Sequence, residues 1–166
     1  AMLAPIVSLS RDPNAHPRVR AAGMRALAQL CKEGDYVCRL FSGMGVVKLA
    51  AGQLACGDTA RPSAEEVSAV KLVTQICEAD TARYEDVVLI GAVPQIIAIM
   101  RQHLVEHTEL LPREQELQRR CGRFLEKACA RPWLRQQMFD AGAADLFLTI
   151  WCMEVPSANM KITYAQ

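Results

Sequence analysis

Tyr84-Glu85-Asp86-Val87-Val88-Leu89-Ile90-Gly91-Ala92-Val93-Pro94-Gln95-Ile96-Ile97-Ala98-Ile99-Met100 reads as two helices joined at a glycine. A short apolar segment stops at Gly91, and a second helix begins with Pro94 in its first turn. Glycine tolerates the left-handed backbone that closes a helix, and proline's missing N–H is no loss in a first turn. The stretch is stop-and-restart punctuation. Variants of it occur twice more, in Gly43-Met44-Gly45-Val46-Val47-Lys48-Leu49 and in Asp140-Ala141-Gly142-Ala143-Ala144. A recurring unit of this kind decides the fold class before any single residue is weighed.

A second marker is the cysteine that closes each long helix. Ala26-Leu27-Ala28-Gln29-Leu30-Cys31 recurs as Leu72-Val73-Thr74-Gln75-Ile76-Cys77 and as Phe124-Leu125-Glu126-Lys127-Ala128-Cys129, at offsets of 46 and 52 residues. From each cysteine to the start of the later helix the distance is nearly constant: 15 residues to Val46, 16 to Val93 and 15 to Ala144. The length difference therefore falls between the second and third helices of a unit, where a surface loop absorbs it.

In chain order, residues 2–10 read as a middle helix with no first helix before it, and residues 11–17 as a loop dense in helix breakers. A long helix over 17–32 carries Val19, Ala22, Ala26, Leu27 and Leu30 as its apolar stripe. A short helix over 35–42 turns Leu40 and Phe41 inward, and Gly43-Met44-Gly45 leads into a helix over 46–56. Ser63-Ala64-Glu65-Glu66 has the capping-box pattern that opens a long helix over 64–78. A short helix over 81–90 precedes Gly91. The helix from 92 is expected to run on to 108, because Arg101-Gln102-His103-Leu104 holds no breaker. Pro112 starts a long helix to 130, Arg131-Pro132-Trp133 a short one to Asp140, and a middle helix covers 143–153. Pro156-Ser157-Ala158-Asn159 begins one more long helix.

At 166 residues the chain suits a single domain, 1–166, and its 51% apolar but only 5% aromatic content suits a helical core of Leu, Ala, Val and Ile. A net charge of +1 gives no overall field for nucleic acid or an anionic membrane. Seven cysteines, an odd number with no CxxC pair and no secretory leader at the start, fit a reducing compartment: cytoplasm or nucleus. No apolar run approaches the ~20 residues of a membrane span. None of the helices is apolar on all sides and none buries its stripe alone, whereas stacked units do. The chain starts and stops within a unit, as a fragment of a longer protein would. Both ends are therefore expected to expose raw apolar faces through which copies self-associate.

Short helix, glycine turn, a middle helix opening Ile/Val-Pro-x-Leu/Ile, and a long helix ending Ala-Leu-x-x-Leu-Cys/Ala: this resembles the armadillo repeat. The two-helix HEAT repeat is the nearest alternative label. Gly91-Ala92-Val93-Pro94-Gln95-Ile96 and Ala26-Leu27-Ala28-Gln29-Leu30 lie closest to the pattern. The resemblance implies an all-α, right-handed solenoid of about three armadillo-like three-helix repeats with partial flanking units. It also implies a concave groove, lined by the third helices, that holds an extended peptide or a partner domain. In the importin and catenin branches an asparagine late on each third helix clamps the ligand backbone. The matching positions here are Gln29, Gln75 and Lys127, and the tryptophan that importins place four residues earlier is Arg25, Lys71 and Arg123. That substitution points away from nuclear-localisation-signal binding.

Residues four apart share a helix face. With the third helices roughly parallel, Arg25, Lys71 and Arg123 are expected to form a basic row, with Lys127 beneath and Arg119 and Arg120 extending it. The candidate partner-binding groove is thus Arg25, Gln29, Lys71, Gln75, Arg119, Arg123 and Lys127, suited to an acidic, extended or helical segment. The bland reading of the same residues is a set of solvated side chains with Glu66 and Glu126 nearby. The functional expectation is a non-enzymatic interaction scaffold. An end-to-end assembly module and a regulatory domain of a larger enzyme are the alternatives.

No cofactor is expected. His103-Leu104-Val105-Glu106-His107 spells HxxEH, the inverted zinc-protease order, but the third ligand required well downstream does not fit the 59 residues that remain. Cys31, Cys77 and Cys129 share one repeat position and read as core. Trp133, Phe147 and Trp151 read as packing between the last units. There is no Gly-rich phosphate loop and no basic-aromatic interleaving for nucleic acid.

Overall fold

The computed structural model describes residues 3–54, 62–103 and 112–152. Among them every regular element is helical: α1 (Leu3–Arg11), α2 (Pro17–Leu30), α3 (Asp35–Gly43), α4 (Val46–Gly52), α5 (Ala64–Ala79), α6 (Arg83–Leu89), α7 (Ala92–Gln102), α8 (Pro112–Cys129), α9 (Pro132–Asp140) and α10 (Ala143–Cys152). A 3₁₀ turn, Cys31–Glu33, extends α2. The further helix expected from Pro156 lies outside the described residues.

Local chemistry explains the element boundaries. Pro17 opens α2, with His16 Nδ1 accepting from Arg18 N at 3.2 Å. At α5 the expected capping box is complete: Glu66 N donates to Ser63 Oγ at 3.0 Å and Ser63 N to Glu66 Oε2 at 2.7 Å. Between α3 and α4, α6 and α7, and α9 and α10 the chain reverses at Gly45, Gly91 and Gly142. Their φ values are 66°, 74° and 83°, the left-handed region that glycine enters without a Cβ penalty. One short-helix, glycine, second-helix arrangement is thus used three times.

The long helices pack in sequence. α5 lies between α2 and α8, while α1 packs on α2 and α4, α4 on α5 and α6, and α7 on α8 and α10. α5 is consequently buried around most of its circumference, with Val70, Leu72, Val73, Ile76 and Cys77 wholly enclosed. Each such aliphatic side chain contributes roughly 1.5–3 kcal/mol. The hydroxyls caught in this helix are satisfied locally, Ser68 Oγ donating to Ala64 O at 2.6 Å and Thr74 Oγ1 to Val70 O at 2.8 Å. Between α6 and α8, Tyr84 stacks on Phe124 at 5.5 Å, and the Arg131 guanidinium lies 4.0 Å over the Tyr84 ring.

Three expectations shift. Val19, Ala22 and Ala26 are exposed, and α2 instead buries Ala21, Met24, Leu27 and Ala28, the face turned to its neighbours α1 and α5. Leu40 is exposed while Cys38 and Phe41, one turn apart, are buried. α7 stops at Gln102 with His103 as its C-cap, and residues 104–111 lie outside the described set. Exposed large apolar side chains are Leu9, Val19, Tyr36, Leu40, Trp133, Phe139 and Leu148, spread along the described helices.

Two arginines tie a helix end to the glycine turn of the next helix pair. Arg11 Nη2 donates to Met44 O at 3.0 Å, and Arg101 Nη2 to Gly142 O at 2.7 Å. A Cβ at Gly142 would lie 2.6 Å from Arg101 Nη2, whereas one at Gly91 would meet nothing within 4 Å. Gly91→Ala is therefore expected to cost about 1 kcal/mol of left-handed strain. Gly142→Ala should cost about 1 kcal/mol more, because Arg101 must also give up its hydrogen bond. Urea denaturation of both variants, and of each with Arg101→Ala, checks this: removing Arg101 should erase the difference.

Candidate functional site

The seven sequence-predicted groove residues sit on the three long helices: Arg25 and Gln29 on α2, Lys71 and Gln75 on α5, and Arg119, Arg123 and Lys127 on α8. Arg25, Gln29, Arg119, Arg123 and Lys127 are exposed, and Lys71 is half-buried. Gln75 is only 8% exposed, enclosed where α5 meets its neighbours.

Glu78 brings two of the seven together. Gln75 Nε2 donates to Glu78 Oε2 at 2.6 Å, and Arg123 Nε forms an ion pair with Glu78 Oε1 across the α5–α8 seam. On α8, Glu116 accepts from Arg120 Nε at 2.8 Å and from Arg119 Nη2, so Arg119 is held along its own helix. Arg25, Lys71 and Lys127 carry no ion pair among the described residues. Sequence reasoning named the cations and missed both acids that discipline them. Glu78 lies three residues after Gln75 and Glu116 three before Arg119, the i,i+3 spacing at which side chains meet on one face. That spacing was the available signal.

Burial pushes the Glu116 carboxyl up, but hydrogen bonds from Arg119 and Arg120 outweigh it and hold the group below the usual carboxylate range. The Cys31 and Cys77 thiols are pushed well up, first by burial. Cys31 and Cys77 are core residues; Cys129 is half-buried, its Sγ 3.7 Å from Met138 Sδ. Trp133 is substantially exposed rather than packed, and Phe147 is half-buried.

A buried polar group lies where α5, α7 and α8 meet. Gln118 Nε2 donates to His103 O at 3.1 Å, and the His103 ring, 1% exposed, places Nε2 4.0 Å from Glu66 Oε2. Both ring nitrogens and Glu66 Oε1 are buried without a hydrogen-bond partner. His103 is the C-cap of α7, and the rest of the HxxEH stretch lies outside the described residues. Among the described residues no three His, Cys, Asp or Glu side chains are arranged to hold a metal.

No family model matches the chain, and no curated protein does. Solved structures do. Two engineered proteins determined by a structural genomics consortium superpose with TM-scores of 0.77 and 0.76 at 15% and 14% identity, over 99% and 98% of this chain. The likeness is one of fold. The chain spans 60% and 36% of those two longer chains. No helix among the described residues is long and apolar enough to cross a membrane.

The depressed Glu116 carboxyl makes acid sensitivity measurable. A carboxyl whose folded pKa is lowered contributes stability above its unfolded value of 4.5, and that contribution is lost as pH falls through the folded value. Thermal melts taken from about pH 6 to about pH 3 should therefore show a smaller loss for Glu116→Gln than for the wild type.

Proposed function

We propose that the protein is a non-enzymatic interaction scaffold built as a right-handed, armadillo-like solenoid. Its third helices α2, α5 and α8 form a concave, basic wall that binds an acidic segment of another protein. One observation carries the reading: all three equivalent positions, Arg25, Lys71 and Arg123, are cationic, on helices that pack one after the next. Potential of one sign along a concave face attracts and orients a segment of the other sign. Arg25, Lys71 and Lys127, unpaired among the described residues, are the cations most open to a ligand carboxylate. A cytoplasmic or nuclear setting fits the cysteine content.

The test uses a fluorescein-labelled oligoglutamate peptide and anisotropy at low salt. Arg25→Glu/Lys71→Glu/Lys127→Glu should weaken binding by at least about tenfold while leaving helicity intact, and wild-type binding should fall as salt rises. Equal affinity of the two proteins would end the groove reading.

End-to-end assembly is the second reading, favoured by the exposed Leu9 and Val19 on the first helices and Phe139 and Leu148 on the last. Sedimentation velocity should then show concentration-dependent association that Phe139→Glu/Leu148→Glu abolishes; a monomer at all concentrations removes it.

A further inference from the structure

We propose that Glu78 is an internal competitor that occupies the central rung of the groove with the protein's own carboxylate. This rests on the reading of α2, α5 and α8 as a wall for acidic ligands, and it says which part of that wall is already filled. The carboxylate bridges a primary amide and a guanidinium: Gln75 Nε2 donates to Oε2 at 2.6 Å, and Arg123 pairs with Oε1. A guanidinium with an amide N–H beside it is a competent pair of donors for an acidic side chain. Glu78 therefore shows how the rung would hold a ligand's aspartate or glutamate, because it sits where one would.

Glu78 is not simply sealed into the core. Its side chain is 18% exposed and that of Arg123 is 52% exposed, so a ligand carboxylate reaches the pair from the Arg123 side, while Glu78 Oε1 itself is buried. Apart from Arg123, the buried Oε1 has no partner among the described residues. The other two rungs differ. Position 78 corresponds to Lys32 after α2 and Ala130 after α8, so neither has a carboxylate one turn beyond the clamp position. An acidic partner thus meets open cations at Arg25 and Lys127 and must draw Arg123 away from Glu78 to engage it.

The rival explanation is that Glu78 only pins α5 to α8. Glu78→Gln separates the two, with Glu85→Gln on α6 as a control that removes the same charge elsewhere. By oligoglutamate anisotropy at low salt, Glu78→Gln should bind about fivefold tighter than wild type, and Glu85→Gln should not. The gain should vanish in an Arg123→Ala background. Circular dichroism and thermal melts establish that each variant is folded. Unchanged or weaker binding by Glu78→Gln, an equal gain in Glu85→Gln, or a gain that survives Arg123→Ala would each overturn the competitor role while leaving the groove in place. Failure of both wild type and Glu78→Gln to bind the peptide would overturn the groove and, with it, this inference.

Discussion

Burial of α5 between α2 and α8 is the contact on which the rest of the molecule depends. A helix with neighbours on both flanks and second helices behind it can afford few exposed apolar positions, and its sequence complies from Ala69 to Cys77. The polar residues admitted to that run are those able to bond within their own helix, as Ser68 and Thr74 do. Because α5 fixes the spacing of the long helices, it also fixes where the cations of α2 and α8 stand relative to its own Lys71. The proposed electrostatic wall would thus be a by-product of hydrophobic packing.

Charge is then trimmed locally. Glu116 takes Arg119 and Arg120, Glu78 takes Arg123, and Arg20 of α2 reaches Glu65 of α5 at 2.6 Å. The exposed Arg119–Glu116 pair contributes little to stability, typically under ~1 kcal/mol, whereas Arg20–Glu65 is largely enclosed. The effect of these pairs on what the surface attracts is larger, because each withdraws a cation from the field a partner would feel. Net charge near zero is compatible with the proposed basic face for that reason.

The helices and their punctuation were legible in the sequence because glycine, proline and capping residues act over three or four positions. Ser63–Glu66 and the three glycine reversals follow from such local rules. What misled was phase on helices with one covered side. Val19, Ala22 and Ala26 have helical spacing, but so do Ala21, Met24 and Ala28, and only the positions of α1 and α5 select between them. Leu40 failed for the same reason: α3 is amphipathic, and Cys38 took the buried place. The ends of α7 and the seat of His103 depend on what α5 and α8 present to them, which no local pattern records. In the candidate site the cations were readable from repeat position, and their acids from i,i+3 spacing, except that the reach of Glu78 to Arg123 crosses between helices.

The arginine ties from α1 to the Met44 carbonyl and from α7 to the Gly142 carbonyl give this stack unequal seams. Arg101 stands ten residues after Gly91, and the residue ten after Gly45 is Ala55, which has no such reach. Nothing lies within 4 Å of a Cβ built on Gly91, the turn such a residue would have grasped. The outer two seams are therefore stapled at their glycine turns through backbone carbonyls, and among the described residues the inner one has no such staple. A stack pinned in that pattern would yield at the Gly91 turn before the other two.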